Sequence, residues 1–191
     1  MPILGVIDSG KSGHLVVPNS YASIGTVTVG SGGASTITFS SIPSTYTHLQ
    51  IRISAQTNRA TYGTDSIAMR FNSDTTSSYD THELIGANGS ANAYSTTSTN
   101  TPYWDAMGTS TSGAFGAGIF DILDYANTNK YKTSRLFLGS DNNGSISSNT
   151  GAITLGSGLW QSTNAITSIN FLPIYGSLFN QYSTFALYGI R

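Results

Sequence analysis

The sequence predicts an all-β protein: an antiparallel two-sheet sandwich, jelly-roll-like, over residues 21–191, preceded by an extended N-terminal arm over residues 1–20. Three observations carry this. Apolar and polar residues alternate at period two in many short runs, the signature of strands with one buried face. Clusters of Gly, Pro, Asn, Asp and Ser separate those runs and turn the chain. No segment shows the 3.6-residue periodicity of a packed helix.

Taken in order, residues 1 to about 20 hold a short apolar run, then Gly, Ser, Lys and His, then Leu15-Val16-Val17-Pro18. They read as an edge strand or as an arm lying on a neighbouring subunit. The next three runs alternate in turn: Thr26-Val27-Thr28-Val29, Thr36-Ile37-Thr38-Phe39 and Leu49-Gln50-Ile51-Arg52-Ile53-Ser54-Ala55. Gly30 to Ser35 and Ser40 to Tyr46 link them, so a three-strand antiparallel run is expected. A polar loop over 58–64 leads to a fourth strand at Ile67 to Phe71, and turn formers over 72–78 lead to a fifth at Tyr79 to Ile85. Residues 86–102 are too long and polar for a hairpin turn and read as a surface loop with work at an interface. Strands resume at 117–123, 135–138, 152–155 and 166–172. The run Thr184 to Ile190 is apolar on both faces, which suits a central strand. The inward set is expected to be Val27, Val29, Ile37, Phe39, Leu49, Ile51, Ile53, Ile67, Met69, Phe71, Ile119, Leu136, Leu138, Ile169, Phe171, Phe185 and Leu187.

Composition excludes several functions. The 191 residues can bury a sizeable core, yet only 9% are charged, against about a quarter in an average domain. Net charge is −1, and eight Lys and Arg spread along the chain cannot neutralise a row of phosphates, so no nucleic-acid partner is expected. With no cysteine there is no disulfide framework and no thiolate metal site. The first residues lack a signal-peptide pattern and no run approaches a membrane span, so synthesis in a cytoplasm without membrane insertion is expected. The sequons at Asn88 and Asn143 are read as Asn-Gly turns.

The candidate chemistry is sparse. Gly5-Val6-Ile7-Asp8-Ser9-Gly10-Lys11-Ser12 matches the phosphate-loop pattern literally, with Asp121 as an imaginable second acidic group. Such a loop needs a buried strand before it and a helix after it, and neither is present in the pattern, so Lys11 is expected to bind no nucleotide. Asp80-Thr81-His82-Glu83 is the densest titratable cluster; on a strand Asp80 and His82 share a face and Glu83 points away, too few ligands for a metal. His48 reads as a strand-edge side chain, and Asp141-Asn142-Asn143-Gly144 as a turn rather than a calcium loop. No nucleophile elbow occurs, and no enzyme activity or cofactor is expected.

Aromatic residues are the other handle. Tyr103-Trp104-Asp105 follows the polar stretch, with Tyr94 inside it and Tyr62 in an earlier loop. Aromatics beside a carboxylate suit a sugar, whose C–H face stacks and whose hydroxyls hydrogen-bond, and they suit a protein interface equally. Trp104 and Trp160 could instead plug the ends of the sandwich. These three readings stay open at this point.

The strings Tyr21 to Gly33, Ile37 to Arg52 and Phe185 to Ile190 resemble small virion proteins of tailed bacteriophages. The likeness is clear at the two ends of the chain and vague between about 58 and 165. It implies a particle component located in the virion: a capsid decoration or cement protein, or a tail fibre or baseplate module, contacting other virion proteins. A homo-oligomer is expected from the surface short of charge, the Ser- and Thr-rich sheet edges that need covering and the apolar arm, with a trimer as the habit of the family resembled. The alternative the resemblance leaves is a receptor-binding module that touches a host surface glycan through loops 58–64 and 86–105.

Overall fold

The computed structural model describes residues 20–111, 113–141 and 151–191. All of the arm but Ser20, its phosphate-loop match with Lys11, and the Asn143-Gly144 turn therefore lie outside the described residues.

The chain forms β-strands and no helix among the described residues. They are β1 (Tyr21–Thr28), β2 (Ile37–Phe39), β3 (His48–Thr57), β4 (Thr64–Phe71), β5 (Tyr79–Ala87) and β6 (Ser90–Thr99). There follow β7 (Tyr103–Thr109), β8 (Gly116–Leu123), β9 (Lys132–Asp141), β10 (Gly151–Trp160), β11 (Ile169–Pro173) and β12 (Thr184–Ile190). Hydrogen bonds join all twelve into one open mixed sheet with two limbs. The longer limb runs β1-β12-β3-β8-β9-β10-β5-β6 and the shorter one β2-β11-β4-β7, antiparallel throughout. They meet at a short parallel pairing, Gln56 opposite Gly108 and Thr57 opposite Thr109.

Two expectations are corrected. The first three strands do not pair with one another. The apolar phase of a strand says which face is buried but not which strand lies alongside. Here β12 inserts between β1 and β3, and β2 pairs with β11 in the other limb. The terminal strand is thus internal, as its apolar content indicates. Residues 86–102 are not a loop either. The two-residue turn Asn88-Gly89, with φ of 52° and 75°, closes a hairpin whose second arm is β6. The turn itself is the one the sequence reads at Asn88; the strand after it goes unread because β6 ends the strand order and is exposed along nearly its whole length, so no apolar phase marks it.

The core sits between the inner faces of the two limbs. Phe120 of β8 lies 5.4 Å, centroid to centroid, from Phe171 of β11, and Phe171 lies 5.4 Å from Phe185 of β12. Trp104 of β7 meets Phe120 edge-on at 6.0 Å, and its indole lies against Gly156 and Gly158 of β10. At the other end Trp160 stacks on Tyr79, and its Nε1 donates to Asp74 Oδ2 at 2.7 Å. Burial alone would raise the pKa of the Asp74 carboxyl, but hydrogen bonds from Thr76, Trp160 and Ser78 outweigh it and lower it. Both tryptophans are core plugs.

Fifteen of the seventeen expected core residues are buried. Val27 is half-buried and Ile119 is 38% exposed. Strand β8 carries apolar residues in both phases, Ile119 in one and Phe120 and Ile122 in the other, and the aromatic phase faces the core. The buried hydroxyl of Thr154, in the inner phase of β10, has no hydrogen-bond partner among the described residues.

Candidate functional site

A cleft of about 240 Å³ opens where the inner face of β5 and β6 extends past the edge of β7. It is lined by Thr81, Glu83, Tyr94, Ser95, Thr96, Tyr103, Asp105 and Tyr175. Register explains the assembly. Tyr94 lies directly opposite Glu83 in the β5–β6 hairpin, and Thr96 opposite Thr81, so these four share one face. Glu83 follows the inward phase of Tyr79, Thr81 and Ile85, which makes it a carboxylate in a core-facing position.

Strand β7 delivers the other carboxylate. A bulge shifts its register against β4, so that Asp65 opposes Met107 and Ser66 opposes Asp105. The extra residue, Ala106, is fully buried and holds φ at 90°, a conformation that strains an L-residue. Trp104 before the bulge and Met107 after it both face the core, while Asp105 points to the cleft. The backbone N–H of Asp105 donates to Glu83 Oε2 at 3.2 Å, and the Ser66 hydroxyl donates to Asp105 Oδ1.

Tyr175 comes from the loop between β11 and β12. Buried Asp65 fixes that loop by accepting the backbone N–H groups of Tyr175 and Gly176 at 3.1 and 2.9 Å. The same carboxylate accepts Ser66 N–H and the Thr57 hydroxyl, so it is satisfied without a cation. Asn58 Oδ1 takes the N–H groups of Ser177 and Leu178. The Arg59 guanidinium then lies between two rings, 4.1 Å from the Tyr62 centroid and 4.2 Å from that of Tyr175.

The electrostatics of the cleft follow from burial and like charge. Burial, offset in part by the Asp105 N–H and reinforced by the Asp105 charge, pushes the Glu83 carboxyl up to about 7. The Tyr103 hydroxyl is raised by burial, by Tyr175 and by the two carboxylates. At neutral pH the Glu83 carboxyl can therefore either donate or accept a hydrogen bond.

Three of the five sequence-predicted contact residues, Tyr94, Tyr103 and Asp105, line this cleft, and a fourth, exposed Tyr62, lies beside it. Trp104 does not, being 1% exposed in the core, because alternation along β7 turns it away from its neighbours. Sequence reasoning names Glu83 only as the member of the 80–83 cluster that points away, not as a contact residue, and misses Tyr175. The readable signal for Glu83 was a carboxylate in the apolar phase of a strand; Tyr175, far along the chain, offered none. Three of the remaining candidates, Asp121, His48 and Asp80, have structural partners. Asp121 pairs with Arg135 at 3.0 Å and accepts Gln50 Nε2 at 2.8 Å, and His48 lies 3.5 Å from Asp124. Asp80 accepts Ser98 N–H and Gln161 Nε2. No group of three or more potential metal ligands occurs among the described residues.

The outward face of the longer limb is a second candidate surface. Ile119, Phe137, Leu155 and Leu84 stand directly opposite one another across β8, β9, β10 and β5. They are 38 to 54% exposed, an unbroken apolar row on a sheet exterior. Phe115 and Ile153 flank it, and with Ala117 and Gly139 they border an open groove of about 860 Å³.

No protein-family model matches the chain, and no curated protein matches it. Among solved structures the chain is similar to an engineered GH43 glycoside hydrolase that displays both endo-xylanase and exo-arabinofuranosidase activity. That match has 12% identity and a TM-score of 0.32, covering 87% of this chain and 36% of that one. It is also similar to the VP2 subviral particle of infectious bursal disease virus, with 15% identity and a TM-score of 0.13, covering 87% of this chain and 38% of that one. The chain thus spans well under half the length of either. Likenesses this distant carry no argument about what it does.

Proposed function

We propose that the protein is a structural component of a bacteriophage virion, a capsid decoration or cement protein or a tail-associated protein, working through subunit contacts rather than catalysis. The observation that carries this reading is the apolar row Ile119-Phe137-Leu155-Leu84 on the sheet exterior. Contiguous exposed apolar surface on a soluble chain marks an interaction site. Burying what remains exposed on these four residues with Phe115 and Ile153 would contribute on the order of 5–9 kcal/mol per copy. Two copies together can then offset the entropy lost on association. The occupant is another copy of this chain, packed head-to-tail as a closed ring of three requires. The order is a trimer, following the habit of the family that the two ends resemble. The two limbs, packed inner face to inner face, suit a jelly-roll-like two-sheet sandwich as the scaffold.

Sedimentation tests the assembly directly. The wild-type protein is expected to be an oligomer at tens of micromolar, and Phe137→Asp with Leu155→Asp to be a folded monomer. A wild-type monomer, or an oligomer that the double variant leaves intact, overturns the interface. Imaging labelled particles separates the locations, because a decoration protein covers the capsid and a tail module sits only at the tail.

A second reading has its own observation. The cleft that gathers Tyr94, Tyr103, Tyr175, Glu83 and Asp105 supports a receptor-binding module that recognises a host surface glycan. The two readings use opposite faces of the longer limb and are compatible in one particle.

A further inference from the structure

We infer that the cleft between β5, β6 and β7 binds a single neutral hexopyranose unit and rejects anionic sugars. The inference rests on the receptor-binding reading and names the ligand class of that same site.

Size sets the first limit. At about 240 Å³ the cleft lies below the roughly 300–1,000 Å³ of pockets that enclose drug-sized ligands. One ring fits inside, and further residues of an oligosaccharide run outward over β6, which is exposed along its length. The walls set the second limit. Tyr94, Tyr103 and Tyr175 line the cleft, and tyrosine suits a pyranose by stacking its ring on the C–H face and hydrogen-bonding the rim through its hydroxyl.

The carboxylates set the third. Glu83 uses Oε2 to accept the Asp105 N–H, and Asp105 uses Oδ1 to accept the Ser66 hydroxyl. The other oxygen of each has no donor among the described residues, so two neighbouring oxygens remain for sugar hydroxyls, which can donate to both. A sugar carboxylate would bring a third acidic group to this pair, and like-charge juxtaposition of that kind suppresses binding. The nearby cation, Arg59, does not relieve it: its guanidinium is held between Tyr62 and Tyr175, with Nη1 donating to Thr64 O at 2.8 Å. A divalent cation is disfavoured because the two carboxylates have no third His, Asp or Glu ligand among the described residues.

The test is a binding panel on the full chain at pH 7, with immobilised neutral hexose oligosaccharides beside their uronate-containing and sialylated counterparts. The expected result is binding to a neutral member, competed by the free methyl hexoside. Tyr94→Ala and Asp105→Asn should each weaken it at least tenfold, with circular dichroism unchanged. Preferential binding to an anionic sugar that these variants also weaken overturns the neutral class and leaves the receptor-binding reading standing. Sugar binding that neither variant alters removes the ligand from this cleft and overturns the inference alone. A signal that needs calcium or magnesium and vanishes with EDTA overturns it as well. A panel with no binder at all defeats both the inference and the reading under it.

Discussion

Glu83 is a carboxylate placed in the apolar phase of its strand, and the consequence can be measured as stability. Its pKa rises from an ordinary 4.5 to about 7, with burial as the leading cause. Between those values the folded chain holds a proton that the unfolded chain has released, so stability falls as pH rises through the window. The contribution is fully present below about 4.5 and lost above 7. Because the carboxyl is only half-buried, solvent screening limits the change to on the order of 1–2 kcal/mol. Urea denaturation from pH 4.5 to 7.5 should show wild type losing that amount relative to Glu83→Gln, whose amide still accepts the Asp105 N–H. Parallel curves for the two proteins would mean that the carboxyl is not buried as described. The residue scale also shows what a sequence can disclose about such a site. Tyr94, Tyr103 and Asp105 were legible because tyrosine beside a carboxylate is a chemical pattern in one dimension. Tyr175 was not, since only the hydrogen bonds of Asp65 and Asn58 bring its loop beside β7.

At the scale of elements, the packing of β7 on β10 is a close cross-limb contact that the sequence left unread. A Cβ added at Gly156 would stand 2.6 Å from Trp104 Cδ1 and 2.9 Å from its Nε1. The indole is rigid and fully enclosed, so it has nowhere to retreat. Gly156→Ala is therefore expected to cost about 1–3 kcal/mol, read as a lower urea midpoint with unchanged slope. A neutral result would show that Trp104 is not seated against β10. The strands themselves were largely legible, because alternation marks a half-buried face wherever one exists. Their partners were not, and β6 escaped altogether: Ser, Thr, Asn and Ala at an edge exposed on both faces carry no phase at all. Ile119 was misassigned for the opposite reason. Strand β8 has apolar residues in both phases, one for the core and one for the sheet exterior.

For the whole molecule, the position of β12 between β1 and β3 sets a timetable. Tyr21 pairs with Ile190 and His48 pairs with Ile190 as well, so residues made early wait for residues made late. Until Thr184 to Ile190 leave the ribosome, β1 has no strand among the described residues to lie against and one edge of β3 is bare. Such long-range pairing places the chain among slow folders, in the millisecond-to-second range typical of all-β topologies. A nascent chain halted before residue 184 should remain sensitive to protease in its first sixty residues, while one carrying a C-terminal linker long enough to bring Ile190 out of the ribosome becomes resistant. Early resistance in the halted chain would show that β1 and β3 find some other order first. During synthesis an unpaired β3 edge is open to the strands of neighbouring nascent chains, so the risk of co-aggregation on a polysome peaks just before the strand that removes it is made.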